Sequence, residues 1–332
     1  MDNKTPVDID EIPAEAWFEF TASDSPEPYT AQFLAFNTVI TLQAYGEYAR
    51  IKRAFEQARD LCRTYERLFS RTLPHSDISR INAAGGKHVT VNPLTAELVA
   101  QALKYCEESG GCFDVTIGSA SRLWDFHNGI IPDKLTLEQA LSHVDWRNIR
   151  LGEENGQPTV QLLDSEASLD LGGIAKGWIA DRLTEHLIKS GVQAFIVNLG
   201  GNVVVHGTKP DGSLWRVGLQ DPQTPGQIVG AVALSEGSAV TSGTYERHFE
   251  KDGVTYHHIL DPTTGYPAKT DVAGVTVITK RSIDAEGYST TLLALGMERG
   301  KDFVERHPVI LAAHFVDAEG QVQSVYAPGY GR

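Results

Sequence analysis

The stretch FIVNLGGNVVVHG, residues 195–207, carries β-branched and aromatic residues at strand density on both sides of a glycine pair. It opens a run: WRVGLQD (215–221), IVGAVAL (228–234), YHHIL (256–260) and VAGVTVITK (272–280) follow, separated by threonine-rich turns. Strands that come in runs, rather than alternating with helices, predict an α+β fold over a doubly wound parallel sheet. Immediately upstream, GIAKGWIADRLTEHLIKSG (173–191) is amphipathic and ends on Gly191, a usual helix stop. Further back, FLAFNTVITLQAYG (33–46) reads as a strand leading into EYARIKRAFEQARDLCRTYERLFS (47–70), whose apolar residues recur at helical spacing. A second helix follows Asn92-Pro93 and closes at Gly110-Gly111, LTLEQALSHV (135–144) is a short helix, and residues 148–163 form a hairpin turning near Asn155-Gly156. Downstream, a helix opens near Asp284 and a final hairpin spans 308–327. The expected architecture is mixed, largely antiparallel sheet with flanking helices.

The chain has 332 residues, 41% hydrophobic and 22% charged, enough for one large domain or two closely joined lobes. Residues 1–30 are acidic and contain prolines, and are expected to form a flexible arm ahead of one bilobed domain over 31–332. A formal net charge of −14 argues against nucleic acid as partner, because phosphate neutralisation needs clustered Lys and Arg. It leaves room for a phosphate-bearing cofactor held by backbone amides and a metal. Cys62, Cys106 and Cys112 show no CxxC spacing, which suits a reduced compartment. The opening residues carry no signal-peptide pattern and no apolar run is long enough to cross a bilayer. A cytoplasmic location without membrane insertion is expected, unless an export segment precedes this chain.

Four segments could carry chemistry. In SLDLGGIAKGWIADRL (168–183) a glycine turn opens a helix, presenting free N–H groups suited to a phosphate, with Lys176 in the first turn. The same pattern is equally a plain strand–turn–helix connection with Asp170 as cap. Gly200-Gly201, inside a strand pattern, suggests a bulge or a close approach of backbone to ligand. In YHHILDPTTGYPA (256–268) adjacent histidines face opposite sides of a strand, so only one can face a cleft. A histidine followed by an Asp three residues later, in a Gly/Pro-rich loop, is a candidate base. Finally, in IDAEGYSTTLLALG (283–296), Glu286 and Thr290 lie four apart on one helical face. Carboxylate plus hydroxyl is a hard-oxygen pair suited to Mg²⁺. Helix-start acids are common, however, and a capping arrangement with Asp284 as N-cap is the more frequent meaning of such a pattern.

Taken in order, FNTVITLQAYG, FSRTLPHSDISRIN, GGCFDVTIGSASRLWDF, LDLGGIAKGWIADRL, VNLGGNV, WRVGLQDP, SGTYERHF, HHILDPTTGYP and AEGYSTTLLALG resemble the ApbE family of FAD:protein FMN transferases. The resemblance covers residue 33 to the end and implies an ApbE/T-fold-like α+β architecture. It implies a transferase that splits FAD at its pyrophosphate, attaches FMN to a Ser or Thr hydroxyl of an acceptor protein, and releases AMP, with Mg²⁺ as cofactor. The family's flavin-contacting positions fall on Phe36, Thr72, Cys112, Phe113, Asp114, Asp170, Lys176 and Ile259. The resemblance makes His258 the base, with Asp261 beside it, and places the metal at the carbonyl of Gly173 with Glu286 and Thr290. The family pattern has Asp where Glu286 stands, Met-Gly-Thr where this chain has Phe36-Asn37-Thr38, and often an aromatic residue at Thr72.

Overall fold

The computed structural model describes residues 17–21, 27–224 and 226–330. In chain order the elements are β1 (Phe18–Thr21), β2 (Tyr29–Ala35), β3 (Thr38–Tyr45), α1 (Tyr48–Phe69), α2 (Asp77–Asn82), β4 (Val89–Thr90), α3 (Pro93–Glu108), α4 (Gly118–Ser121) and α5 (Lys134–Leu141). They continue with β5 (Ile149–Glu154), β6 (Gln157–Leu162), α6 (Ala175–Lys189), β7 (Ala194–Leu199), β8 (Asn202–His206), β9 (Trp215–Gln220) and β10 (Ile228–Leu234). The last are β11 (Glu236–Gly243), β12 (His248–Lys251), β13 (Val254–His257), β14 (Gly274–Thr279), α7 (Ser282–Arg306), β15 (Ala312–Val316) and β16 (Val322–Tyr326).

The described residues build a nine-stranded sheet in the order β1-β2-β3-β7-β8-β11-β14-β15-β16. Every neighbouring pair in it is antiparallel. Side chains alternate across it: Val240 joins the large core that includes Trp178, Leu183, Ile283 and Leu292 from α6 and α7, whereas Ala239 joins a second cluster with Trp215, Val217 and Leu234. Helices therefore cover one face and the β9–β10 ribbon covers the other. A third, smaller cluster, Ala120, Trp124, Leu137, Ala140 and Leu260, ties α4 and α5 to the loop after β13. The predicted α+β class, the amphipathic helices and the Asn155-Gly156 hairpin all appear, with both turn residues at positive φ (51° and 76°).

Three segments differ from their sequence reading. FLAFNTVITLQAYG is two strands, β2 and β3, joined by a two-residue turn in which Phe36 and Asn37 both have positive φ (54° and 56°). Turns of this primed kind match the twist of a hairpin, and Asn tolerates the conformation; a phenylalanine does not readily, so the backbone is strained there. The Phe36 N–H donates to Glu66 Oε1 on α1 at 2.8 Å, which holds the turn down. Gly200-Gly201 is likewise no bulge but the turn of the β7–β8 hairpin, and its close neighbour is protein: a Cβ on Gly200 would lie 2.4 Å from Thr38 Oγ1. SAVTSG, within the segment read as turns, lies in the central strand β11, because its small and hydroxylated residues are buried between β8 and β14. Of the expected arm, residues 1–16 and 22–26 lie outside the described residues, and Phe18–Thr21 pairs as β1 along β2.

Candidate active site

The site is built where α6 and α7 start side by side. The chain reaches α6 through Asp170, whose N–H donates to Val115 O at 2.8 Å. Asp170 Oδ1 accepts from Gly172 N at 2.9 Å, while Oδ2 accepts from Ser121 Oγ and pairs with Arg71 Nε, each at 3.3 Å. Asp170 thus shapes the glycine turn rather than capping the helix. Ile174 occupies the N-cap position without any side-chain cap bond, so no side chain caps the positive end of the α6 dipole. Phe113 lies against the turn, 3.0 Å from where a Cβ on Gly173 would sit. Lys176 stands in the first turn.

Helix α7 begins at Ser282, two residues before the expected start, and its cap comes from another helix. Asp181 on α6 accepts from Ser282 N at 2.6 Å and Ile283 N at 3.1 Å. Burial pushes this carboxylate up to about 6, against the pull of those two N–H donors. Replacing Asp181 with Ala is expected to cost about 1 kcal/mol in urea unfolding, the usual worth of an N-cap. Asp284, expected as N-cap, instead accepts from the Tyr105 hydroxyl at 2.6 Å, inside the core.

Glu286 faces the opposite way. Gly177 makes this possible: a Cβ there would lie 2.7 Å from Glu286 Cβ and from Ser282 O. Glu286 Oε1 accepts from Lys176 Nζ at 2.9 Å and Oε2 from Asn202 Nδ2 at 2.5 Å, with the Glu286 side chain 6% exposed. Asn202, fully buried at the end of the glycine turn, accepts through Oδ1 from Ser282 Oγ at 2.8 Å. Thr290 follows one turn later on α7, half-buried, and Ser289 Oγ donates to Glu286 O at 3.1 Å. No group of three or more His, Cys, Asp or Glu able to hold a metal occurs among the described residues. By donor type alone, Glu286, Thr290 and the Gly173 carbonyl are all oxygen ligands, with one carboxylate among them. That suits Mg²⁺, which binds through one or two carboxylates plus waters and substrate phosphates.

His257 and His258 part as the strand pattern requires. His257 is buried, its Nε2 facing Ala268 O at 3.2 Å. His258 is half-buried; its Nδ1 is buried and unpartnered, and its N–H donates to Arg247 O at 3.0 Å. Burial first, then Arg247, His257 and Lys176, push its pKa down to about 3, so the imidazole is neutral. Glu246, next to Arg247, is driven upward by burial, with Lys176 opposing and Glu286 adding. His258, Arg247, Glu246, Lys176 and Glu286 are therefore electrostatic neighbours.

The remaining residues singled out in the sequence have surroundings of their own. Asp261 turns its carboxylate into its own loop, accepting from Thr263 N at 2.8 Å. Asp114 is buried and accepts from Thr116 N, Thr116 Oγ1 and Trp146 N at 2.8, 2.6 and 3.1 Å. Cys112 is half-buried with Arg299 and Asp261 as charged neighbours, Ile259 is 6% exposed, and Thr72 is exposed beside Ser70. Phe36 sits at the strained β2–β3 turn. Asp181, Glu246 and Tyr105 carry no local sequence signal that separates them from ordinary helix or strand residues, and Asn202, which by its place could simply satisfy local backbone, bonds Glu286 and Ser282 instead.

The ApbE family matches residues 36–315. An FAD:protein FMN transferase of Treponema pallidum (strain Nichols) is 36% identical over 297 residues, covering 84% of this chain and 82% of that protein. One from Klebsiella pneumoniae (strain 342) is 35% identical over 276 residues, covering 82% and 83%. Among solved structures, the ApbE protein of Thermotoga maritima superposes with a TM-score of 0.82 at 29% identity, covering 90% of this chain and 96% of that one.

Proposed function

The chain belongs to the ApbE family, and on that footing we propose that it moves FMN from FAD to a Ser or Thr hydroxyl of an acceptor protein. The observation that supports the reading is Lys176, at an uncapped helix start, paired with Glu286, with His258 close enough to feel the Lys176 charge. An anionic diphosphate is what the helix start and Lys176 recognise. In the reaction, the acceptor oxygen forms a bond to the FMN phosphorus while the phosphorus–oxygen bond to AMP breaks. The acceptor proton passes to His258, and AMP leaves.

The chain's own residues provide position and charge, which govern phosphoryl-type transfer. The N-terminus of α6 and Lys176 hold the diphosphate; Phe113 walls the glycine turn and, with Phe36, Thr72, Cys112, Asp114, Asp170 and Ile259, belongs to the proposed flavin side. Asp261 acts by shaping the loop that carries His258. Mg²⁺ held by Glu286, Thr290 and the Gly173 carbonyl would supply charge neutralisation at the diphosphate. A histidine with a pKa of about 3 is a weak base in the free protein. Bound diphosphate brings negative charge beside Lys176 and Arg247, which relieves part of that depression.

Incubation with FAD, Mg²⁺ and an acceptor protein separates the outcomes. In-gel flavin fluorescence on the acceptor together with AMP is the expected result. Free FMN with AMP would instead make the protein an FAD pyrophosphatase, and intact FAD would make it a binder without transfer. Glu286→Gln keeps the side-chain shape and removes the charge. It is expected to weaken the Mg²⁺ dependence of labelling at least tenfold, read as the midpoint of an Mg²⁺ titration. An unchanged midpoint would remove Glu286 as ligand.

A further inference from the structure

We propose that Lys176 is a built-in competitor for the divalent cation: it neutralises Glu286 when no cation is bound and is released from it when one binds. The inference rests on the proposed metal site at Glu286 and concerns what stands there without metal. The Glu286 side chain is 6% exposed and its Oε1 is 2.9 Å from Lys176 Nζ. A carboxylate this deeply buried needs a counter-charge, and in this chain the ammonium supplies it.

The carboxylate cannot turn to serve both cations. Oε2 is held by Asn202, and Asn202 is itself held by the Ser282 hydroxyl at 2.8 Å, with Ser238 Oγ donating to Ser282 Oγ at 3.0 Å. The root of the side chain is fixed as well, because Glu286 Cβ packs where a Cβ on Gly177 would lie. A divalent cation must therefore approach Oε1, where two cations repel at close range. The Lys176 side chain is 26% exposed, so it has an open side into which to swing. Released there, the ammonium is free for the diphosphate. One event would seat the cation and deliver the lysine.

Calorimetric titration of Mg²⁺ into FAD-free protein tests this directly. Lys176→Met should bind Mg²⁺ about tenfold more tightly than wild type, since no ammonium has to leave. Its melting temperature without metal should fall and should recover on adding Mg²⁺. Should Lys176→Met not fold, the wild-type chain provides a second readout. Amine modification followed by peptide mapping should show Lys176 labelling rise with Mg²⁺ while other lysines stay constant. Equal Mg²⁺ affinity in the two proteins, or Lys176 labelling indifferent to Mg²⁺, would overturn the competition alone. No Mg²⁺ binding by either protein would overturn the metal site itself, and this inference with it.

Discussion

A His258→Ala protein is expected to label its acceptor about 10²–10⁴-fold more slowly while still binding FAD, the loss that follows from removing a positioned base. The variant should remain folded, because the backbone bond from the residue 258 N–H to Arg247 O, at 3.0 Å, does not depend on the side chain. Labelling by His258→Ala at the wild-type rate would remove His258 as base. The pH dependence carries a further signature. With the folded pKa lowered from 6.5 to about 3, His258 stays neutral throughout the mildly acidic range. The unfolded chain then binds the extra proton between those values. Its contribution to stability is whole above pH 6.5 and is lost as pH falls toward 3. Urea midpoints measured from pH 7 down to 4 should therefore fall more steeply for wild type than for His258→Ala.

The second large effect is at Gly177. Ala within a helix ordinarily gains up to about 1 kcal/mol over Gly, and Gly177 sits in the first turn of α6. Here the added Cβ would meet Ser282 O and Glu286 Cβ at 2.7 Å and Ile283 Cα at 2.8 Å, and backbone cannot fold aside as a side chain can. Gly177→Ala is expected to destabilise by about 1–3 kcal/mol, and Gly177→Val by more. Both should weaken Mg²⁺ binding, because α7 must move away from α6 and take Glu286 with it. A Gly177→Ala protein as stable as wild type, with unchanged Mg²⁺ binding, would show that the two helices do not approach this closely.

Much of the fold could be read from short-range pattern. The run of strands after residue 195, the amphipathic helix behind the glycine turn and the Asn155-Gly156 hairpin are local matters of periodicity and turn chemistry. Reading failed where tertiary context overrides local preference. Phe36 takes a left-handed conformation that no propensity would assign to it, held by Glu66 from α1. SAVTSG looks like turn sequence and becomes a central strand, its hydroxyls bonded to neighbouring elements: Ser238 to Val203 O, Thr241 to Thr276 and Ser242 to Ser289.

For the site, the sequence by itself determined the residue types and their order: a glycine turn before Lys176, paired histidines before Asp261, and Glu286 four residues ahead of Thr290. The ordered motifs also determined the family. Only the tertiary structure decided which carboxylate does what. Asp284 and Glu286 are two residues apart, yet one meets the Tyr105 hydroxyl in the core and the other meets Lys176 of α6 and Asn202 of β8. It also decided that the cap of α7 is Asp181, 101 residues away in the chain. A helix fixes the direction in which each side chain leaves it, but not what lies in that direction. That depends on how closely α6, α3 and β8 approach, and at Gly177 the approach is set by the absence of a single methyl group.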